Sequence, residues 1–530
     1  MTAKSARKKK PEECILTIDA GTQSIRAALI DLRGEIHEIV KTPIEPYFSL
    51  KPGWAEQDPE YYWKTLCKTC KKLLKETSFS KDAIKGVTLT TQRATFINVD
   101  RDGNPLRPAI VWLDQRKAEL ESWPSLPMKG ILKTIGMYDS AVGAVREAEI
   151  NWIRQNQPEI WDKTHKFLII SGFFTHRLTG EFNDSIGNTI GYLPFDYKNH
   201  TWLKKSDMKW KMFPIEEEKL HGLVKPSDIL GYITPQAAKA TGIPKGLPLI
   251  AAAADKACEV LGSGCLTPET GCLSYGTTAT IETTNKDYVE IVPMFPPYPS
   301  AVPGSYNTEV MIYRGYWMVS WFKEQFGLRE EQLAKKKNIP AEALFDEMIK
   351  SIPPGSMGLT LQPFWSPGAK IPGPEAKGSI IGFGDVHTKA HIYRAILEGL
   401  AYALKEGATR TEKKNKVKIE KLKVSGGGSQ SDVAMQLTAD IFDLPAERPH
   451  TYETSALGAS IDAAVGLGLH SNFETAIKDM TRVRDCFEPV KENRDIYKDL
   501  YENVYLKMYD RLKPLYEDIR DITGYPEKID

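Results

Sequence analysis

The spacing of apolar and polar positions predicts that the chain opens as strands joined by tight turns. In ILTIDAGTQSIRAALID, Ile15 to Asp31, two apolar runs flank Asp-Ala-Gly-Thr-Gln-Ser, and a second turn, DLRGE, leads into the alternating EIHEIVK. This pattern reads as three antiparallel strands in a meander. Next, QDPEYYWKTLCKTCKKLLKE places Asp58 at an N-cap and Pro59 at the first helical position, and its apolar stripe steps by three and four through Trp63, Leu66, Cys67, Cys70, Leu73 and Leu74. Those are the signals of an amphipathic helix. IKGVTLTT, TFINVD, the turn RDGNP and AIVWLD then return to strand grammar, so the first half is α/β with a mixed sheet.

Beyond Asp114 the pattern turns helical and aromatic, until the connector GIPKGLPLIAAAAD runs into a small-residue strand that ends at Asp255. The second half repeats the grammar of the first. GCLSYGTTATIETT is again strand, small-hydroxyl turn, strand, with Gly276 and Thr277 where Gly21 and Thr22 stood, and a long helix from about His387 to Lys414 follows. IEKLKVSGGGSQSDVAMQLTADIF reads as strand, glycine turn and a helix from near Gln430. Two similar halves predict a duplicated architecture with a cleft between lobes. The expected division is a basic tail over 1–12, a first lobe over 13–254, a second over 255–485 and a docked helical segment over 486–530, where Tyr497, Tyr501, Tyr505 and Tyr509 form a stripe at steps of four.

Composition narrows the function. Lys plus Arg number 70 against 69 for Asp plus Glu, so there is no broad field to attract nucleic acid or an anionic membrane. The start, MTAKSARKKK, is charged without an apolar core behind it, and no uninterrupted apolar run has the ~20 residues that span a bilayer, so the expected location is cytoplasmic. Seven cysteines are too few for a disulfide framework, and the CxxC of Cys67 and Cys70 lies on the helix stripe with no second CxxC to complete a zinc site.

The chemistry gathers in a few turns. Each Gly-Thr turn reads either as an ordinary polar hairpin or as a phosphate clamp, in which glycine admits backbone N–H groups to an anion and hydroxyls add donors. SGGGSQSD, Ser425 to Asp432, lies between a strand and a helix and reads as a linker or as a nucleotide-accepting turn. Asp255 is placed to cap a helix or to take the proton of a substrate hydroxyl. Gln92, Arg93, Asp114 and Arg116 stand at strand ends on the edge of the first turn and suit a polyhydroxylated ligand, or, each taken singly, an ion pair of the lobe interface.

With these segments in order, the sequence resembles the FGGY family of carbohydrate kinases, from about Cys14 to about His470. The likeness is carried by DAGTQS, GWAEQDP, TTQRATFINVDRDGNPLRPAIVWLDQR, FLIISGFFTHRLTGEFNDS, AAAADKACEVLGSG, SYGTTA, HTKAHIYRAILEGLAYAL, SGGGSQSDVAMQLTADIF and ETSALGASIDAAVGLG. The resemblance implies two actin-like, ribonuclease H-like lobes, each with a mixed sheet flanked by helices. It also implies ATP and Mg²⁺, with transfer of the γ-phosphoryl to a sugar or polyol hydroxyl. Asp255 matches the catalytic base, with Asp19 and Asp255 on the metal side. Thr22, Gln23 and Ser24 match the first phosphate loop, Gly276 and Thr277 the second, Gly427, Gly428 and Gln430 the adenosine contact, and Gln92 and Arg93 the substrate pair. A small-molecule sugar is the implied partner, and the resemblance leaves room for a homodimer.

Departures from the family pattern bear on the substrate. Glycerol kinases read Asn-Gln-Arg-Glu where this chain has Thr91-Gln92-Arg93-Ala94, and Asp-Gln where it has Asp255-Lys256. The aromatic residue expected eight positions before Trp152 corresponds to Ala144, and the Met-His pair of xylulokinases is absent. Loss of two bulky contacts enlarges a pocket and favours a four- to six-carbon sugar, ketose or polyol over glycerol. The alternatives are a glycerol kinase and, in another class, a nucleotide-gated regulator of the same fold without turnover; retention of Asp255 speaks against the regulator.

Overall fold

The computed structural model describes residues 13–120, 123–134, 137–293, 295–366 and 372–525. The basic tail expected over 1–12 lies outside them. The chain packs as two compact units. The first comprises residues up to Gly262 together with Tyr298–Ser305 and Ser455–Thr481; the second comprises Ser263–Pro297, Tyr306–Thr454 and the residues from Arg482 onward.

In the first unit the predicted meander forms as β1 (Cys14–Ala20), β2 (Ser24–Asp31) and β3 (Ile36–Pro43), all antiparallel. Helix α1 (Pro59–Glu76) starts where the sequence signals it, with the Asp58 carboxylate accepting from the Glu60 N–H. Strands β4 (Ile84–Thr91), β5 (Ile229–Tyr232) and β6 (Pro248–Ala251) complete a sheet in the order β5-β6-β4-β1-β2-β3, followed by α2 (Asp255–Gly262). β1, β4 and β6 run parallel. They are buried on both faces, as β2 is beside them, which is why CILTIDA and PLIA read as nearly continuous apolar runs instead of alternating.

The second unit repeats this order. β7 (Thr270–Tyr275), β8 (Ala279–Asn285) and β9 (Tyr306–Ile312) form the antiparallel meander. Then come α3 (Lys389–Asn415), β10 (Lys421–Ser425), α4 (Asp432–Phe442), β11 (Ala446–Pro449) and β12 (Val483–Phe487). The strands run β9-β8-β7-β10-β11-β12, with β7, β10 and β11 parallel and β12 antiparallel. Each unit is therefore a three-stranded meander, two further parallel strands and one closing antiparallel strand. Each has its own apolar core.

Three features differ from the sequence reading. Helix α2, which the reading placed beyond the boundary at Asp255, packs with the first unit. So does the helix Thr454–Gly466, whose small residues let it lie against α2: a β-carbon on Gly458 would stand 1.9 Å from the Cys258 carbonyl oxygen. Finally, the helix expected from Gln430 begins at Asp432, because Gly427–Gln430 close a separate 3₁₀ turn and the Ser431 hydroxyl caps the Ala434 N–H.

Candidate active site

In the first unit the parallel strands β6, β4 and β1 end on one edge, the carboxyl edge where open α/β sheets take ligands. β1 delivers Asp19 and the turn Gly21-Thr22-Gln23, β4 delivers Gln92 and Arg93, and β6 leads through Ala252–Ala254 to Asp255. The three are tied together: the Gln92 N–H donates to the Ala20 carbonyl (3.0 Å), and the Thr90 hydroxyl donates to the Ala253 carbonyl (2.8 Å).

Asp19 stands opposite Arg26 in the β1–β2 register and pairs with it at 2.8 Å, its carboxylate almost wholly buried. Burial pushes the Asp255 carboxyl up to about 6; the charges of Asp19 and Glu259 add to the rise, while Arg93 and Lys256 oppose it. The Lys256 ammonium is itself held by Glu259 at 2.8 Å. Ala94 takes φ 47°, a left-handed turn that costs a residue with a β-carbon roughly 1–2 kcal/mol. It reverses the chain just after Arg93, whose guanidinium lies over the Tyr298 ring at 4.9 Å. At the first turn Gln23 is exposed and Thr22 half-exposed, and the Thr22 hydroxyl accepts from the Trp112 indole at 3.0 Å, which leaves its own proton to donate. Ser24 is buried as the first residue of β2 and is not at the open tip.

In the second unit β7 and β10 run side by side and pair Ser274 with Ser425, so their two turns leave from one edge. Gly276 and Thr277 form one turn, anchored by the Tyr316 N–H donating to the Gly276 carbonyl at 3.0 Å. Gly426 begins the other with φ 81°, close against Tyr275. Gly427 faces open space and Gln430 is exposed, whereas a β-carbon on Gly428 would lie 2.3 Å from the Tyr316 ring. Tyr316 stacks on Tyr275 at 4.5 Å, giving the glycine turn an aromatic floor. Arg448, buried, donates to the Ser429 carbonyl (2.6 Å) and pairs with Asp432 and Asp485.

Two residues expected at a ligand are turned inward. Arg116 is paired with Glu56 (2.9 Å) and Asp114 (2.7 Å) and lies over both Trp54 and Trp152, while Asp114 also accepts the Ala55 N–H. They form an ion-pair network among residues of the first unit alone, and Arg107 joins it through Glu56. Tyr275, Tyr316, Tyr298 and Arg448 went unread in the sequence. The three tyrosines look like ordinary core aromatics, and only the fold brings them to the turns. Among the described residues no cluster of three or more His, Cys, Asp or Glu stands ready for a metal, and no helix is long and apolar enough to cross a membrane.

Comparison with known proteins identifies the family and the fold. Residues 14–262 match the N-terminal domain, and 271–467 the C-terminal domain, of the FGGY family of carbohydrate kinases. An uncharacterised sugar kinase of Escherichia coli (strain K12) is 31% identical, with 97% of this chain and 98% of that one covered. A xylulose kinase of Staphylococcus epidermidis is 28% identical over 97% of this chain and 100% of its own. The crystal structure of a xylulose kinase from Rhodospirillum rubrum superposes with a TM-score of 0.79 at 23% identity, over 95% of this chain and 100% of that one.

Proposed function

The chain belongs to the FGGY family of carbohydrate kinases, and from that premise we propose that it phosphorylates a hydroxyl of a four- to six-carbon sugar, ketose or polyol, not glycerol, with Asp255 as general base. The observation that carries this reading is the shared edge of β6, β4 and β1, where Asp255 stands with Gln92, Arg93, Asp19 and Thr22. A base whose carboxyl is raised to about 6 is ionised at neutral pH yet close enough to it to accept a proton as charge develops.

In this reading Gln92 and Arg93 bind and orient the acceptor so that one hydroxyl faces Asp255. The carboxylate takes the hydroxyl proton, the oxygen forms the new bond to the γ-phosphorus, and the bond from that phosphorus to the β–γ bridging oxygen breaks, leaving ADP. Thr22 and Gln23 supply N–H and O–H donors for phosphate oxygens at this edge of the first unit, and such positioning is most of what phosphoryl transfer asks of a protein. In the second unit, Gly276 and Thr277 form a turn with donors of the same kind.

The donor set suits Mg²⁺. Asp19 at the end of β1 and Asp255 after β6 both stand at this edge, and Mg²⁺ is held by one or two carboxylates with substrate phosphates and water. These two residues would hold the ion, which when bound neutralises charge on the phosphates.

The glycine turn of the second unit is assigned to adenosine. Gly428→Ala is expected to raise KM for ATP by about tenfold or more, since its β-carbon would strike the Tyr316 ring and displace the turn that receives adenosine. Sugar KM should stay within twofold. Steady-state kinetics with each substrate varied in turn tests this, and an unchanged ATP KM counts against the assignment.

Substrate size is read from what is missing. Ala94 carries no carboxylate toward the edge, Lys256 is held by Glu259, and Ala144 is small. ADP release should be measured with glycerol, erythritol, D-xylulose, D-ribulose, xylitol, D-fructose and D-gluconate. At least one of the larger acceptors should exceed glycerol in kcat/KM by tenfold or more; glycerol equal to or better than all of them overturns the size reading.

A further inference from the structure

We propose that Tyr298 is a positioning residue for sugar recognition, holding the Arg93 guanidinium on its ring face at the edge shared with Gln92 and Asp255. The inference rests on the reading of Arg93 as a sugar-binding residue and adds what keeps that long side chain in place.

Arg93 sits in a loop, one residue before the left-handed Ala94, on a side chain with many rotamers. Left unsupported, it would lose that freedom each time a sugar bound. Its guanidinium lies 4.9 Å from the centroid of Tyr298. Stacking of this kind uses the flat face of the ion and leaves its in-plane N–H groups as donors, the arrangement a polyhydroxylated ligand needs.

The ring is itself fixed. Tyr197 meets it at 6.0 Å with the planes 63° apart, and the Tyr197 hydroxyl is bonded to the backbone of Gly191. The segment that carries Tyr298 is folded back on itself by Ser300 N–H to the Ser305 carbonyl (3.0 Å) and Val302 N–H to the Ser300 hydroxyl (3.2 Å), with Ala301 fully buried. Residues 298–305 belong to the first unit, although the sequence on either side of them belongs to the second. Tyr298 and Pro299 also pack on the turn Ile186–Asn188, and the Gly187 carbonyl in that turn accepts from the Ala254 N–H at 3.1 Å. One short segment thus braces Arg93 on one side and the approach to Asp255 on the other.

The test is kinetic, on the full chain, with the acceptor that the panel above shows to be turned over fastest. Tyr298→Leu is expected to raise sugar KM by about 10- to 50-fold, with kcat changed less than threefold and ATP KM less than twofold. Tyr298→Phe, which keeps the ring face, should stay within twofold of the native chain in all three. Should the leucine variant not fold, Tyr298→Met fills similar space without a ring and should show the same rise. Arg93→Met separates the two layers of the argument. If it raises sugar KM while neither ring-less variant does, the positioning role falls and the sugar-binding reading stands. If it leaves sugar KM unchanged, the reading of Arg93 falls too. Equal losses in the phenylalanine and leucine variants would assign the effect to the hydroxyl and overturn the stacking role.

Discussion

Asp255→Asn should lower kcat by ~10²- to 10⁴-fold, the range a positioned general base contributes. Asparagine matches the carboxylate in size but cannot take the proton that the hydroxyl must lose. Stability should move the other way. Burial raises this carboxyl to about 6, so the protein holds an ionised group that its surroundings disfavour, and removing the charge should leave Tm unchanged or higher. The sign for pH follows from the same shift. The base works only when ionised, so kcat/KM of the native chain should fall as pH drops through about 6, and the residual activity of the asparagine variant should lack that limb. ADP release with and without acceptor, and thermal shift with each ligand, measure all of this. Activity retained within fivefold would remove Asp255 from the mechanism. Nucleotide hydrolysis indifferent both to sugar and to Asp255 would point instead to a nucleotide-gated regulator of the same fold.

What the sequence disclosed was whatever depends on neighbours along the chain. The Asp58-Pro59 start of α1, the three-stranded meander and the glycine turn after β10 are written in local periodicity and turn chemistry, and they formed where expected. The duplication was visible for the same reason, since each half repeats a local grammar. Packing between distant segments was not visible. Nothing in TSALGASIDAAVG announces that its helix lies against α2, because small residues permit close approach to any partner and name none. Tyr298 is similar: a tyrosine in a proline-rich stretch acquires meaning only when folding brings it under Arg93. Asp114 and Arg116 show the opposite case. Their charges suggested a ligand, but Trp54, Glu56 and Trp152 close around them and make them internal struts.

Glu398→Ala should be the most destabilising single change of those considered, at about 3–5 kcal/mol, because it removes one partner of a buried ion pair and strands the other. Glu398 is 2% exposed on α3. Its Oε1 accepts from Arg394 Nε (2.8 Å), the Tyr497 hydroxyl (2.8 Å) and the Gly355 N–H (3.0 Å), and its Oε2 accepts from the Ser356 hydroxyl (2.9 Å). Arg394 in turn donates to the Tyr497 hydroxyl at 2.8 Å, so one carboxylate joins α3, the loop before Leu359 and the first tyrosine of the C-terminal stripe. The alanine variant leaves a buried guanidinium, an N–H and two hydroxyls without their acceptor. Burying charge is costly even when it is paired, so the pair need not be worth its desolvation against a well-packed apolar substitute. The double replacement Arg394→Met with Glu398→Leu should therefore lose less than Glu398→Ala alone. Calorimetry of the three full-length proteins checks the order: a single variant within about 1 kcal/mol of native, or a double variant losing more than the single, would show that the network is not the clasp holding Tyr497 to α3.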